Sequence, residues 1–214
     1  MKTILLPLLA LGSMATLTAA PVSYLVTVDT SSIGTSTLGY IEFQFNQANA
    51  STSLAATANV TDFNSSGFTF DDSLDAVLGG VTGSLSAPPL AFDNTVGGTN
   101  LFDEGVTTFG TGFSFVVTLD GAALGTTSTD GSQFFVFLLA RNYSSLAGAT
   151  DTGVGGVTIN GDTTITPNPV TGLSTVTTYT APVGGAAPEP SAFVLFGMGG
   201  AMLGMWRRRR VVRE

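Results

Sequence analysis

Asp71, Asp72 and Asp75 cluster in "TFDDSLDAV", and Asp103-Glu104 follow in "FDEG". Carboxylates dominate the chemistry this chain can offer. Hard oxygen ligands at this density suit Ca²⁺, which β-sandwiches often hold in their loops. Asp71, Asp72 and Asp75 are therefore the candidate metal ligands. No regular Asp-x-Asp-x-Asp loop is present, and N-capping of a short turn by Asp71 or Asp72 also accounts for the cluster. Asp103 or Glu104 together with Asp120 has the residue types of a glycosidase pair, but the sequence does not set their separation. Such sites usually display tryptophan platforms, and the single tryptophan, Trp206, lies near the C-terminal end.

Other chemistries lack their residues. The chain has no His and no Cys, so no imidazole base, no thiol nucleophile and no disulfide can form. The usual ligands of zinc, copper and haem are missing with them. The expectation is a protein that is not an enzyme, with no cofactor unless Ca²⁺ binds. Tyr40, Tyr143 and Tyr179 are the few residues able to stack on a sugar ring.

Charge narrows the partners. Only 10% of the 214 residues are charged, against about 25% in an average soluble domain. Between residues 21 and 187 thirteen acids face one base, Arg141. Phosphate backbones repel such a surface, which argues against nucleic-acid binding.

The elements that must position these residues read as strands. "GYIEFQFN" sets Ile41, Phe43 and Phe45 against Glu42, Gln44 and Asn46, the period of a half-buried strand. "GFSFVVTLD" puts Phe113, Phe115, Val117 and Leu119 on one face, and "SQFFVFLLA" is apolar on both faces, as a covered central strand would be. "YLVTV", "AATANVTDF", "VTGSLS", "GGVTIN", "TTIT" and "STVTTYT" add Thr- and Val-rich candidates. Asn160-Gly161 marks the clearest hairpin, in "GVTINGDTTIT". "DDSLDAVLGG" (71–80) is the one plausible helix, of one or two turns ending at Gly79. Strands at this cadence predict an all-β, antiparallel β-sandwich over residues 21–180, with a jelly-roll-like arrangement among the open topologies.

The two ends carry a different message. Residues 1–20 read as a signal peptide: Lys2, the apolar "ILLPLLALGSMATL", then the small-residue exit "TAA". Cleavage by signal peptidase after Ala20 would leave Pro21 first, whereas cleavage after Ala19 would leave Leu17 at the −3 position. At the other end, "APVGGAAPEP" (181–190) is a Pro/Gly/Ala linker. Residues 191–206 follow as a transmembrane helix, uncharged from Ala192 to Trp206. That uncharged stretch spans about 22 Å of a hydrocarbon core of roughly 30 Å, and snorkelling side chains and local thinning make up the rest. Arg207, Arg208, Arg209 and Arg210 form a stop-transfer block within the tail 207–214. Basic flanks stay cytoplasmic, so the body would lie outside the inner membrane.

Pro188-Glu189-Pro190, an apolar helix and a terminal arginine cluster, in that order, resemble the PEP-CTERM sorting signal of Gram-negative bacteria. The resemblance covers residues 187–210. It implies recognition by an exosortase, a membrane-embedded cysteine transpeptidase that cuts near the Pro-Glu-Pro motif. The two prolines suit that role by keeping the scissile stretch extended and out of the helix. The opening of the body, Ser23 to Gln47, is similar to a group of PEP-CTERM proteins without an assigned activity. The family is associated with bacteria that make exopolysaccharide and form biofilms or flocs. The expectation is thus an inner-membrane intermediate that becomes a cell-surface or extracellular-matrix protein, with exopolysaccharide as a possible partner. The alternative is a carbohydrate- or Ca²⁺-dependent adhesin.

Overall fold

The computed structural model describes residues 19–35, 37–147 and 153–181. The predicted signal peptide up to Thr18, the predicted linker beyond Ala181, the predicted transmembrane helix and the arginine block lie outside the described residues. Contacts divide the chain into Met1–Tyr179 and Thr180–Glu214, and everything below concerns the first unit.

Period-two sequences become strands, and the strands form two antiparallel sheets, as the sequence predicts. One sheet has the order β14 (Ser174–Tyr179), β1 (Val22–Asp29), β9 (Gly112–Asp120), β3 (Thr57–Ser66), β7 (Leu90–Asp93), β6 (Val81–Thr82). The other runs β13 (Ile165–Pro169), β12 (Gly155–Ile159), β10 (Ser132–Ala140), β2 (Gly39–Gln47), β8 (Leu101–Thr108), β4 (Thr69–Phe70). In addition β11 (Ser145–Ala147) pairs with β10, and β5 (Ala76–Leu78) pairs with β8. The long strands alternate between layers: β1, β3 and β9 lie in one, β2, β8 and β10 in the other. Each crossing keeps an apolar face turned to the same interior.

That interior is aromatic. Phe43 meets Phe115 edge-on at 5.3 Å between ring centroids, and Phe134 stands 6.0 Å from Phe115. Phe43, Phe115 and Phe134 are all fully buried. The edge-to-face arrangement directs the positive ring edge of one residue at the negative face of the next. Full burial of each such side chain contributes about 1.5–3 kcal/mol. The hairpin at Asn160 forms as read, with Val157 opposite Pro167 and Ile159 opposite Ile165.

A bulge tunes the core. Four residues of β3, from Thr61 to Asn64, span what three residues of β9, from Val116 to Ser114, span. Asp62 absorbs the extra residue at φ 52°. The inward positions therefore switch from Ala58 and Val60 to Phe63, whose ring packs edge-on against Phe43 at 6.4 Å.

The predicted helix over 71–80 does not form. Asp72–Leu74 makes a single 3₁₀ turn, and Ala76–Leu78 is strand β5. The spacing of Leu74, Val77 and Leu78 suits a helix locally, but the free edge of β8 offers a ladder of backbone partners instead. Ala76 pairs with Asp103, Val77 with Phe102 and Leu78 with Leu101. β7 and β8 were not predicted as strands.

Candidate functional site

β8 reads Leu101-Phe102-Asp103-Glu104-Gly105-Val106. Phe102 and Val106 point into the sandwich, with Phe43 and Gly39 as their partners on β2. Strand alternation then sends Asp103 outward and Glu104 inward. Their partners agree: Asp103 faces Glu42, and Glu104 faces the fully buried Ile41. Two adjacent acids thus occupy opposite faces of one strand, and both are buried, at 2% and 5% exposure.

On the outer face, Glu42 and Asp103 sit directly opposite each other, where side chains of paired strands are in contact range. The carboxyl of Asp103 is pushed up to about 7, first by burial and then by the charge of Glu42. One oxygen, Oδ2, accepts a long hydrogen bond of 3.5 Å from the Tyr143 hydroxyl. The other, Oδ1, is buried without a partner among the described residues.

A polar ladder extends from this pair along β2. Gln44 Nε2 donates to Glu42 Oε1 at 2.6 Å, and Asn46 Nδ2 donates to Gln44 Oε1 at 3.0 Å. Asn46 Oδ1 in turn accepts from the backbone N–H of Asn100 at 2.7 Å. Glu42 was expected on the solvated face; it does point outward, yet it is only 7% exposed. Above the pair, Tyr40 and Tyr143 stack with centroids 5.1 Å apart and planes 10° from parallel. Tyr143 holds φ 60° in the turn after β10, with more than half of its surface open. Rings, carboxylates and amides side by side are the groups that recognise hydroxyl-rich ligands.

Tyr179 does not join this surface, because β14 belongs to the other sheet. Nor does Asp120, which ends β9 in that sheet and whose Oδ1 accepts from the N–H of Gly121 at 2.6 Å. The acid pair that the fold assembles is Glu42 with Asp103.

A second acidic group forms at the edge of β8. Asp71 caps the 3₁₀ turn: its Oδ1 accepts from Ser73 N at 3.1 Å and from Ser73 Oγ at 2.5 Å. The turn then brings Asp72 and Asp75 over the strand. Asp75 Oδ1 accepts from the N–H of Gly105 at 3.0 Å. A side chain at residue 105 would collide with Leu74 Cβ and the Asp71 carbonyl, at 2.5 and 2.6 Å. Glycine there lets the turn settle against β8.

One carboxylate oxygen from each of Asp72, Asp75 and Glu104 lies within 4.8 Å of the others. Burial, then the charges of Asp75 and Asp72, push Glu104 up to about 8. Burial also raises Asp75. Two of the three predicted ligands, Asp72 and Asp75, are therefore together, while Asp71 is engaged in capping. Glu104 takes the third place. It was legible as an acid but not as a partner of this cluster, because that depends on the register of β5 against β8.

Residues 186–210 match the PEP-CTERM protein-sorting motif. The chain therefore carries the signal of an exported protein that is anchored in a membrane and then processed by an exosortase. No curated protein matches the chain, and no solved structure does.

Proposed function

We propose that this chain delivers a β-sandwich to the cell surface or extracellular matrix, where it serves as a structural component and not as an enzyme. The sorting motif at 186–210 carries the reading. Signal peptidase removes the N-terminal signal, cutting after Ala19 or Ala20. The helix 191–206 lodges in the inner membrane, with Arg207–Arg210 on the cytoplasmic side and the body in the periplasm. An exosortase then cuts near Pro188-Glu189-Pro190 and releases or re-anchors the body.

A layer of tightly packed phenylalanines suits a durable matrix element, and exopolysaccharide is the surrounding polymer. The decisive experiment is mass spectrometry of the mature protein from cells with and without the exosortase. The expected C-terminus lies near Pro190 in the first case, and Glu214 is retained in the second. Recovery of the intact arginine block from surface fractions of exosortase-positive cells would refute the processing step.

A second reading, a carbohydrate-binding module, is favoured by the outer face of β2 and β8. There Tyr40, Tyr143, Glu42 and Asp103 gather. A glycan screen with and without chelator separates the two readings. Binding that is lost in Tyr143→Ala supports the module, and uniform silence supports the matrix component.

A further inference from the structure

Glu104 is in the wrong place for an ordinary surface acid. It alternates with Phe102 and Val106 on the core-facing side of β8, and Ile41 is its cross-strand partner. Period two reserves that position for an apolar residue. A carboxylate at 5% exposure needs hydrogen-bond donors or an opposite charge to offset its lost hydration. Among the described residues neither is supplied. Its charged neighbours, Asp75 and Asp72, are themselves acids and disfavour its ionised form further. Asp71 caps the same turn, so capping explains Asp71 but not Glu104.

We propose that Asp72, Asp75 and Glu104 form a binding site for a divalent cation of the Ca²⁺ type. Three carboxylate oxygens within 4.8 Å of one another can be spanned by a single ion with bonds of about 2.3–2.6 Å. All three ligands are hard oxygens, and the chain has no His or Cys to favour a softer metal. Asp72 is exposed, so the ion can enter from solvent and keep water in its remaining positions. The bound charge would answer the buried Glu104 and fasten the turn and β5 to the edge of β8. This inference goes beyond the proposed matrix role and does not rest on the glycan reading, because none of its three ligands belongs to the Glu42–Asp103 pair.

The test is calorimetric titration of the full-length chain, in detergent and stripped of metal, with CaCl₂ alone. One site per chain is expected, with Kd of about 10⁻⁴–10⁻³ M, the range of extracellular calcium modules. Asp72→Asn alters an exposed side chain and should keep the fold while weakening Ca²⁺ at least about tenfold. Glu104→Gln should abolish the heat while its melting temperature without calcium equals or exceeds that of the unsubstituted chain. Asp29→Asn, at a distant strand end, should bind as the unsubstituted chain does. Absence of saturable heat up to about 10 mM Ca²⁺ overturns the proposal. So does Asp72→Asn binding with unchanged affinity, even if Glu104→Gln fails to fold.

Discussion

In chelator, the body is expected to lose stability as the pH rises from about 5 to about 8.5, opposite to the acid lability of proteins held by ion pairs. Asp103 and Glu104 are held up to about 7 and about 8 in the fold, while in the unfolded chain both titrate near 4. Below pH 4 both states carry the protons, and the groups are neutral in the comparison. Between about 4 and 8 the unfolded chain releases protons that the native chain keeps, so each step upward in pH favours unfolding.

A carboxyl raised from about 4 to about 7 costs the ionised fold at most on the order of 4 kcal/mol, against a typical stability of 5–15 kcal/mol. Urea unfolding at the two pH values, each with chelator, measures the difference. Asp103→Asn should flatten the slope and raise stability at the alkaline end. A stability that stays level or climbs over this interval would show that these carboxyls are not buried as described. Millimolar Ca²⁺ should restore part of the loss at alkaline pH, since the ion supplies the opposite charge that Glu104 lacks.

Phe43→Ala is expected to be the most damaging single substitution in the core, at about 3–5 kcal/mol. The ring is fully buried and touches the aromatic set from three sides: Phe115 at 5.3 Å, Phe134 at 6.4 Å and Phe63 at 6.4 Å. Truncation removes the transfer free energy and leaves a cavity between two sheets that cannot close without shifting whole strands. A domain of this size should melt roughly 10 °C lower, at about 2–4 °C per kcal/mol. Phe43→Leu should recover much of the loss. Thr175→Ala, on an exposed edge position, should stay within about 0.5 kcal/mol. Thermal melts of the three variants decide the matter: equal effects at positions 43 and 175 would contradict the packing.

The strands that were legible are those whose burial follows a simple rhythm. Ile41, Phe43 and Phe45 in β2 and Phe113, Phe115, Val117 and Leu119 in β9 announce one apolar face, and the structure buries all of them. Asn160-Gly161 announces its turn for a local reason, the tolerance of these residues for tight reversal. β8 is not legible in the sequence because Asp103, Glu104 and Gly105 interrupt its apolar rhythm at the point where it matters most. β5 reads as helix because its partner lies far along the chain, and propensity over ten residues cannot register an unpaired edge. The site divides the same way. Asp72 and Asp75 are neighbours in sequence and could be grouped by eye. Glu104 joins them, and Glu42 meets Asp103, only through strand register. The sorting signal, by contrast, is linear and depends on no fold, so it was legible in full.

The first and last strands of the sandwich are neighbours, and Ser23 lies opposite Tyr179. Backbones paired in this way pass within about 5 Å of each other. Entry and exit of the body therefore share one pole, while Asp29, Gly112 and Ser66 converge at the other ends of β1, β9 and β3. A short artificial loop should circularise the sandwich without disturbing a core residue.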